Sequence, residues 1–93
     1  MANNLFVSYD LMKADKNYDA VIGAIKKLGS WAKVHYSLWY VRSELNPSDA
    51  AKLVWDVMDP NDRLLIVDAK NNVAAWYNLD REVSEFIKDR WRP

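Results

Sequence analysis

The stretch SWAKVHYSLWYVRSE, Ser30 to Glu44, limits the fold more than any other part of the chain. It is rich in β-branched and aromatic residues, which suit a pleated sheet and not a helix. It is also longer than an ordinary strand of about five or six residues. Two strands joined by a tight connection near Tyr36 and Ser37 satisfy both constraints, without an Asn-Gly or Gly-Gly pair to mark the turn.

Helical patterns flank this hairpin. Before it, NYDAVIGAIKKLG places Tyr18, Val21, Ile22, Ile25 and Leu28 on one face. Asn17 can cap that helix, Lys26 and Lys27 suit its last turn, and Gly29 suits a left-handed stop. After the hairpin, NPSDAAKLVWDVMD restarts a helix with Asn46 or Ser48 as cap and Pro47 at an early position. Ala50, Val54, Val57 and Met58 line its expected apolar side. Asn4 to Tyr9 reads as a central strand, with Leu5, Phe6 and Val7 apolar on both faces. RLLIVDA reads as another, after the turn Asp59-Pro60-Asn61-Asp62.

The order strand, helix, strand, strand, helix, strand predicts an α/β (α+β) ferredoxin-like sandwich, βαββαβ, with both helices on one sheet face. The expected organisation is one domain over residues 1–93, with a core of about 3–70 and a C-terminal extension of about 71–93. In the extension, VAAWYNL predicts a short fifth strand. Asp80 can cap an amphipathic helix with Val83, Phe86, Ile87 and Trp91 on one face. Both pieces are available to cover the open sheet face or to extend the sheet into a neighbour.

Composition narrows the function. No apolar run approaches the roughly 18 residues of a membrane span, and the start lacks a secretory signal pattern. With no cysteine there is neither a disulfide framework nor a thiolate metal site. A cytoplasmic protein is the expectation. Thirteen basic and thirteen acidic side chains cancel. Binding to nucleic acid must then be local, metal-assisted or presented by an assembly, because bulk electrostatic binders carry a basic excess.

Several site chemistries fall away. His35 is the single histidine, Gly23 and Gly29 are the only glycines, and no serine sits in an elbow motif. These facts exclude a histidine metal cluster within one chain and a glycine-rich phosphate loop, and leave serine catalysis without a motif. Phe6, Tyr9, Trp39 and Tyr40 are candidates for stacking bases, but burial in a core or a dimer contact is the ordinary use of such rings. Among the carboxylates, Asp68 reads as a turn former and Asp19 as a first-turn helix residue, with Asp15 also near that helix. Asp10 ends the first strand, and antiparallel pairing of the first and fourth strands separates it from Asp68. One carboxylate is a thin metal site unless a two-fold axis supplies a second. Mg²⁺ suits that arrangement, since it binds through one or two carboxylates plus phosphate oxygens and keeps several waters.

Ser8-Tyr9-Asp10 at the end of the first strand, then a helix, then Gly29 through Tyr40 with KVHYSLWYV, resembles the Cas-two family of CRISPR-associated proteins. The combination SYDL, LGSWAKVHYSLWYV and DRLLIVDA is also similar to stand-alone, SinR-like relatives of that fold. VapD-type ribonuclease toxins are more distant relatives. The resemblance covers about the first seventy residues. It implies a homodimer whose first-strand aspartates face one another, a Mg²⁺-dependent nuclease site at Asp10, and Ser8, Tyr9 and Ser37 as motif neighbours.

His35 stands where the family has Gln, and the first helix lacks the arginine-rich start of the adaptation protein. The amphipathic tail DREVSEFIKDRW also differs, and together these departures favour a stand-alone relative. The expected function is therefore a Cas-two-like homodimer that acts on nucleic acid as a Mg²⁺-dependent endonuclease. The alternative is a non-catalytic dimeric adaptor or inhibitor that engages a protein partner through Phe86 and Trp91.

Overall fold

Asn46 shows how local chemistry sets an element in the computed structural model, which describes residues 2–12, 18–69, 73–79 and 81–90 and leaves the side chains of Ile87 and Arg90 undescribed. Its side-chain oxygen accepts the Asp49 N–H at 2.8 Å, and Pro47 follows where a missing N–H costs nothing. The helix begins there. The elements in chain order are β1 (Asn3–Asp10), α1 (Tyr18–Lys26), β2 (Gly29–His35), β3 (Leu38–Ser43), α2 (Pro47–Trp55), β4 (Arg63–Asp68), β5 (Val73–Tyr77) and α3 (Arg81–Arg90).

The fold is α+β, with a five-stranded antiparallel sheet in the order β2-β3-β1-β4-β5. β5 lies outside β4, so the sheet differs by one edge strand from the four-stranded order of a ferredoxin-like sandwich. Alternation along each strand sends one set of side chains toward α1 and α2. Leu5, Val7 and Tyr9 of β1 join Trp39 and Val41 of β3 and Leu64 and Ile66 of β4 in that core. Val21 and Ile25 of α1 and Ala50, Ala51 and Val54 of α2 close it. The two alanines let α2 lie close to the sheet. Burying Leu5 or Ile66 completely is worth roughly 1.5–3 kcal/mol each.

Several expectations need correction. β1 is central, yet its apolar residues are not buried on both sides: Phe6 remains 38% exposed. α1 stops at Lys26, and Gly29 opens β2 with no positive φ. Glycine is required there because a Cβ would collide with the Arg42 carbonyl oxygen of β3. Tyr18, 41% exposed at the start of α1, keeps its ring 6.5 Å from that of Tyr9. Val57 and Met58 lie beyond the end of α2, whose buried side is Pro47, Ala50, Ala51 and Val54. Asp68 closes β4 with its side chain buried and is not a solvent-facing turn former. The proposed caps Asn17 and Asp80, together with Asp15 and Trp91, lie outside the described residues.

β5 is the short fifth strand that VAAWYNL predicted; it pairs with β4 of its own chain, and its Tyr77 stacks on Trp55 of α2 at 4.7 Å between ring centres. α3 meets the sheet through Trp76 Nε1, which donates to Ser84 Oγ at 3.0 Å. No helix among the described residues is long and apolar enough to cross a membrane.

Candidate functional site

Tyr9 anchors the end of β1. Its side chain is buried, its hydroxyl donates to the Tyr36 carbonyl at 3.0 Å, and its N–H donates to the Ser37 carbonyl at 3.2 Å. The strand end is thereby tied to the tight β2–β3 connection. Ser37 serves through its backbone here, which gives this motif position a structural role.

Beyond Asp10 the chain is held again. The Met12 N–H donates to Asp62 Oδ1 at 2.8 Å, while Asp62 Oδ2 accepts the Asp59 N–H at 2.8 Å. Asp62 is only 4% exposed. Asn78, at a left-handed φ of 61°, donates its side-chain amide to the Asp62 and Pro60 carbonyls at 2.9 and 3.2 Å. Asparagine tolerates that backbone better than most side chains. Asp10 is therefore an exposed carboxylate on a backbone clamped from both sides.

The register fixes its surroundings. Asp10 pairs with Arg63 across β1 and β4, whereas Asp68 pairs with Leu5. Five strand positions separate the two pairs, roughly 17 Å at the usual strand rise. Asp10 and Asp68 do not form one site, as antiparallel pairing predicted. Among the described residues no group of three or more His, Cys, Asp or Glu could hold a metal ion. The hard oxygens of Asp10 suit Mg²⁺, but among the described residues Asp10 belongs to no cluster of three or more ligands.

Asp10 shares the sheet face away from α1 and α2 with Ser8 and Phe6, by alternation along β1. Phe6 is opposite Tyr40 on one side and Val67 on the other, and Ser8 is opposite Leu38 and Leu65. The Phe6 and Tyr40 rings lie 5.6 Å apart, and Trp76 continues the band beside Leu65. Of the four aromatic candidates, Tyr9 and Trp39 are buried in the core. Phe6 and Tyr40 stand on this face, which α1 and α2 leave uncovered.

A cleft of about 710 Å³ adjoins the strand end. Ser8, Tyr9, Asp10 and Ser37 all line it, so the four motif positions singled out in the sequence converge on one place. Lys33, Tyr18 and Tyr36 also line it, and sequence reasoning missed them as site residues. Lys33 Nζ stands 5.4 Å from the centre of the Tyr36 ring and 5.8 Å from that of Trp39. A lone lysine in an aromatic strand was the available signal. His35 is exposed at the end of β2, where the β2–β3 register shifts. Phe86 is 59% exposed on α3, with Val83 exposed beside it. The chain matches no family model, and comparisons with characterised proteins and with solved structures give no match.

Proposed function

We propose that the chain is a ferredoxin-like, Cas-two-like homodimer that associates with nucleic acid and hydrolyses a phosphodiester at paired Asp10 carboxylates. One observation carries this reading: the exposed carboxylate and the band Phe6, Leu38, Tyr40, Leu65 and Val67 share a sheet face that neither α1 nor α2 covers. A second copy packed on that face about a two-fold axis repeats every contact and supplies the second carboxylate. The resemblance of Ser8-Tyr9-Asp10 and KVHYSLWYV to the Cas-two family supports the same arrangement. The β2-β3-β1-β4 part of the sheet supports the ferredoxin-like assignment.

In this mechanism the two Asp10 side chains would hold Mg²⁺, and the ion would supply charge compensation at the scissile phosphate. The chain's own contribution is positional. Tyr9 and Asp62 keep the strand end rigid, so the carboxylate need not be ordered when substrate arrives. The test is a Mg²⁺-dependent cleavage assay on purified dimer. Asp10→Asn abolishes cleavage and leaves the dimer intact; undiminished cleavage in nuclease-free protein removes the site.

The exposed Val83 and Phe86 on α3 favour the second reading, a non-catalytic adaptor or inhibitor that engages a protein partner. It predicts a wild-type dimer that cleaves neither RNA nor DNA with Mg²⁺ present.

A further inference from the structure

Lys33 is the one described cation lining the cleft beside Asp10, and its setting points to a ligand. Its ammonium is held near the Tyr36 and Trp39 rings, and among the described residues no carboxylate pairs with it. Contact with an aromatic ring orients an ammonium without neutralising it. Tyr36 is 87% exposed and offers a flat apolar surface at the same cleft. Ser8 and Ser37 also line it. The cleft volume lies within the roughly 300–1,000 Å³ typical of small-ligand sites.

A positive charge beside an exposed aromatic face complements a ligand that joins a negative charge to a flat ring. We infer that this cleft takes one unpaired nucleotide unit, with its phosphate at Lys33 and its base stacked on Tyr36. Stacking on aromatic side chains is available to an unstacked base, whereas a duplex hides its base faces. The choice of nucleotide rests on the nucleic-acid reading above, but binding in the cleft requires neither a metal ion nor a second copy.

The test uses the full chain carrying Asp10→Asn, with chelator present so that nothing is cleaved. Adenosine 5′-monophosphate, a short single-stranded oligonucleotide and inorganic phosphate are titrated separately. At least one nucleotide probe binds saturably and more tightly than phosphate. Lys33→Gln weakens it about tenfold or more, as expected for a lost charge-assisted bond. Tyr36→Ala weakens it about fivefold to a hundredfold, the range for one base stacked on an aromatic ring. Lys33→Arg and Tyr36→Phe restore binding. The Tyr36 carbonyl that holds Tyr9 survives every change of that side chain.

Binding of the monophosphate identifies a free nucleotide as sufficient, and binding of the oligonucleotide alone assigns the unit to a strand. The inference is overturned if neither probe binds, if phosphate binds as tightly, or if Lys33→Gln and Tyr36→Ala bind like their parent. A monomer that binds but never cleaves keeps this site and removes the dimeric hydrolase. A cleaving dimer with an indifferent cleft does the reverse.

Discussion

Asp10 is exposed, while Tyr9 before it and Met12 after it are fastened to distant parts of the chain. Removing the Asp10 charge therefore costs little stability: Asp10→Asn stays within about 0.5 kcal/mol of the parent in urea unfolding. Asp62 behaves differently. Its buried carboxylate accepts two backbone N–H groups, and Asp62→Ala leaves both donors without it, for a loss of about 2–3 kcal/mol by the same measurement. The two glycines also part company. Nothing stands within 4 Å of a Cβ at Gly23, so Gly23→Ala raises the melting temperature by an increment worth about 0.5–1 kcal/mol. Gly29→Ala lowers it, because the Arg42 carbonyl belongs to the neighbouring strand and cannot simply step aside.

Among the elements, α3 meets the sheet through Ser84 and Trp76 and keeps Val83 and Phe86 exposed. Amide exchange in α3 is accordingly faster than in β1 and β4, which are paired on both sides. Equal protection in α3 and β1 would contradict this ordering. The same contrast explains what was legible in the sequence. Hairpin length, the Asn46–Pro47 cap and the i, i+3, i+4 spacing of α1 are local signals, and they located the elements and the Tyr36–Ser37 division. The positions of Gly29 and Asp62 were visible, but their roles were not. Gly29 is required by β2–β3 register, and Asp62 acts on Met12, far away in the chain. Phe6 looked buried because an apolar run cannot reveal which sheet face receives a covering layer. Lys33 and Tyr36 became site candidates only once the hairpin met the end of β1.

At the scale of the whole molecule, a chain of 93 residues has room for one modest core, and α1 and α2 occupy only one side of the sheet. The other side presents Phe6, Leu38, Tyr40, Leu65 and Val67, part-exposed residues that gain burial if a second copy covers them. The proposed dimer therefore dissociates on Phe6→Glu in analytical ultracentrifugation while far-UV circular dichroism stays unchanged, since Phe6 lies outside the helix-facing core. Because the chain has no native cysteine, Asp10→Cys accepts a single spin label. Its electron paramagnetic resonance spectrum tests most directly whether two strand ends meet. The account predicts strong dipolar broadening that disappears on dilution with excess unlabelled chain; a sharp spectrum from protein that sediments as a dimer, or sedimentation as a monomer throughout, would contradict it.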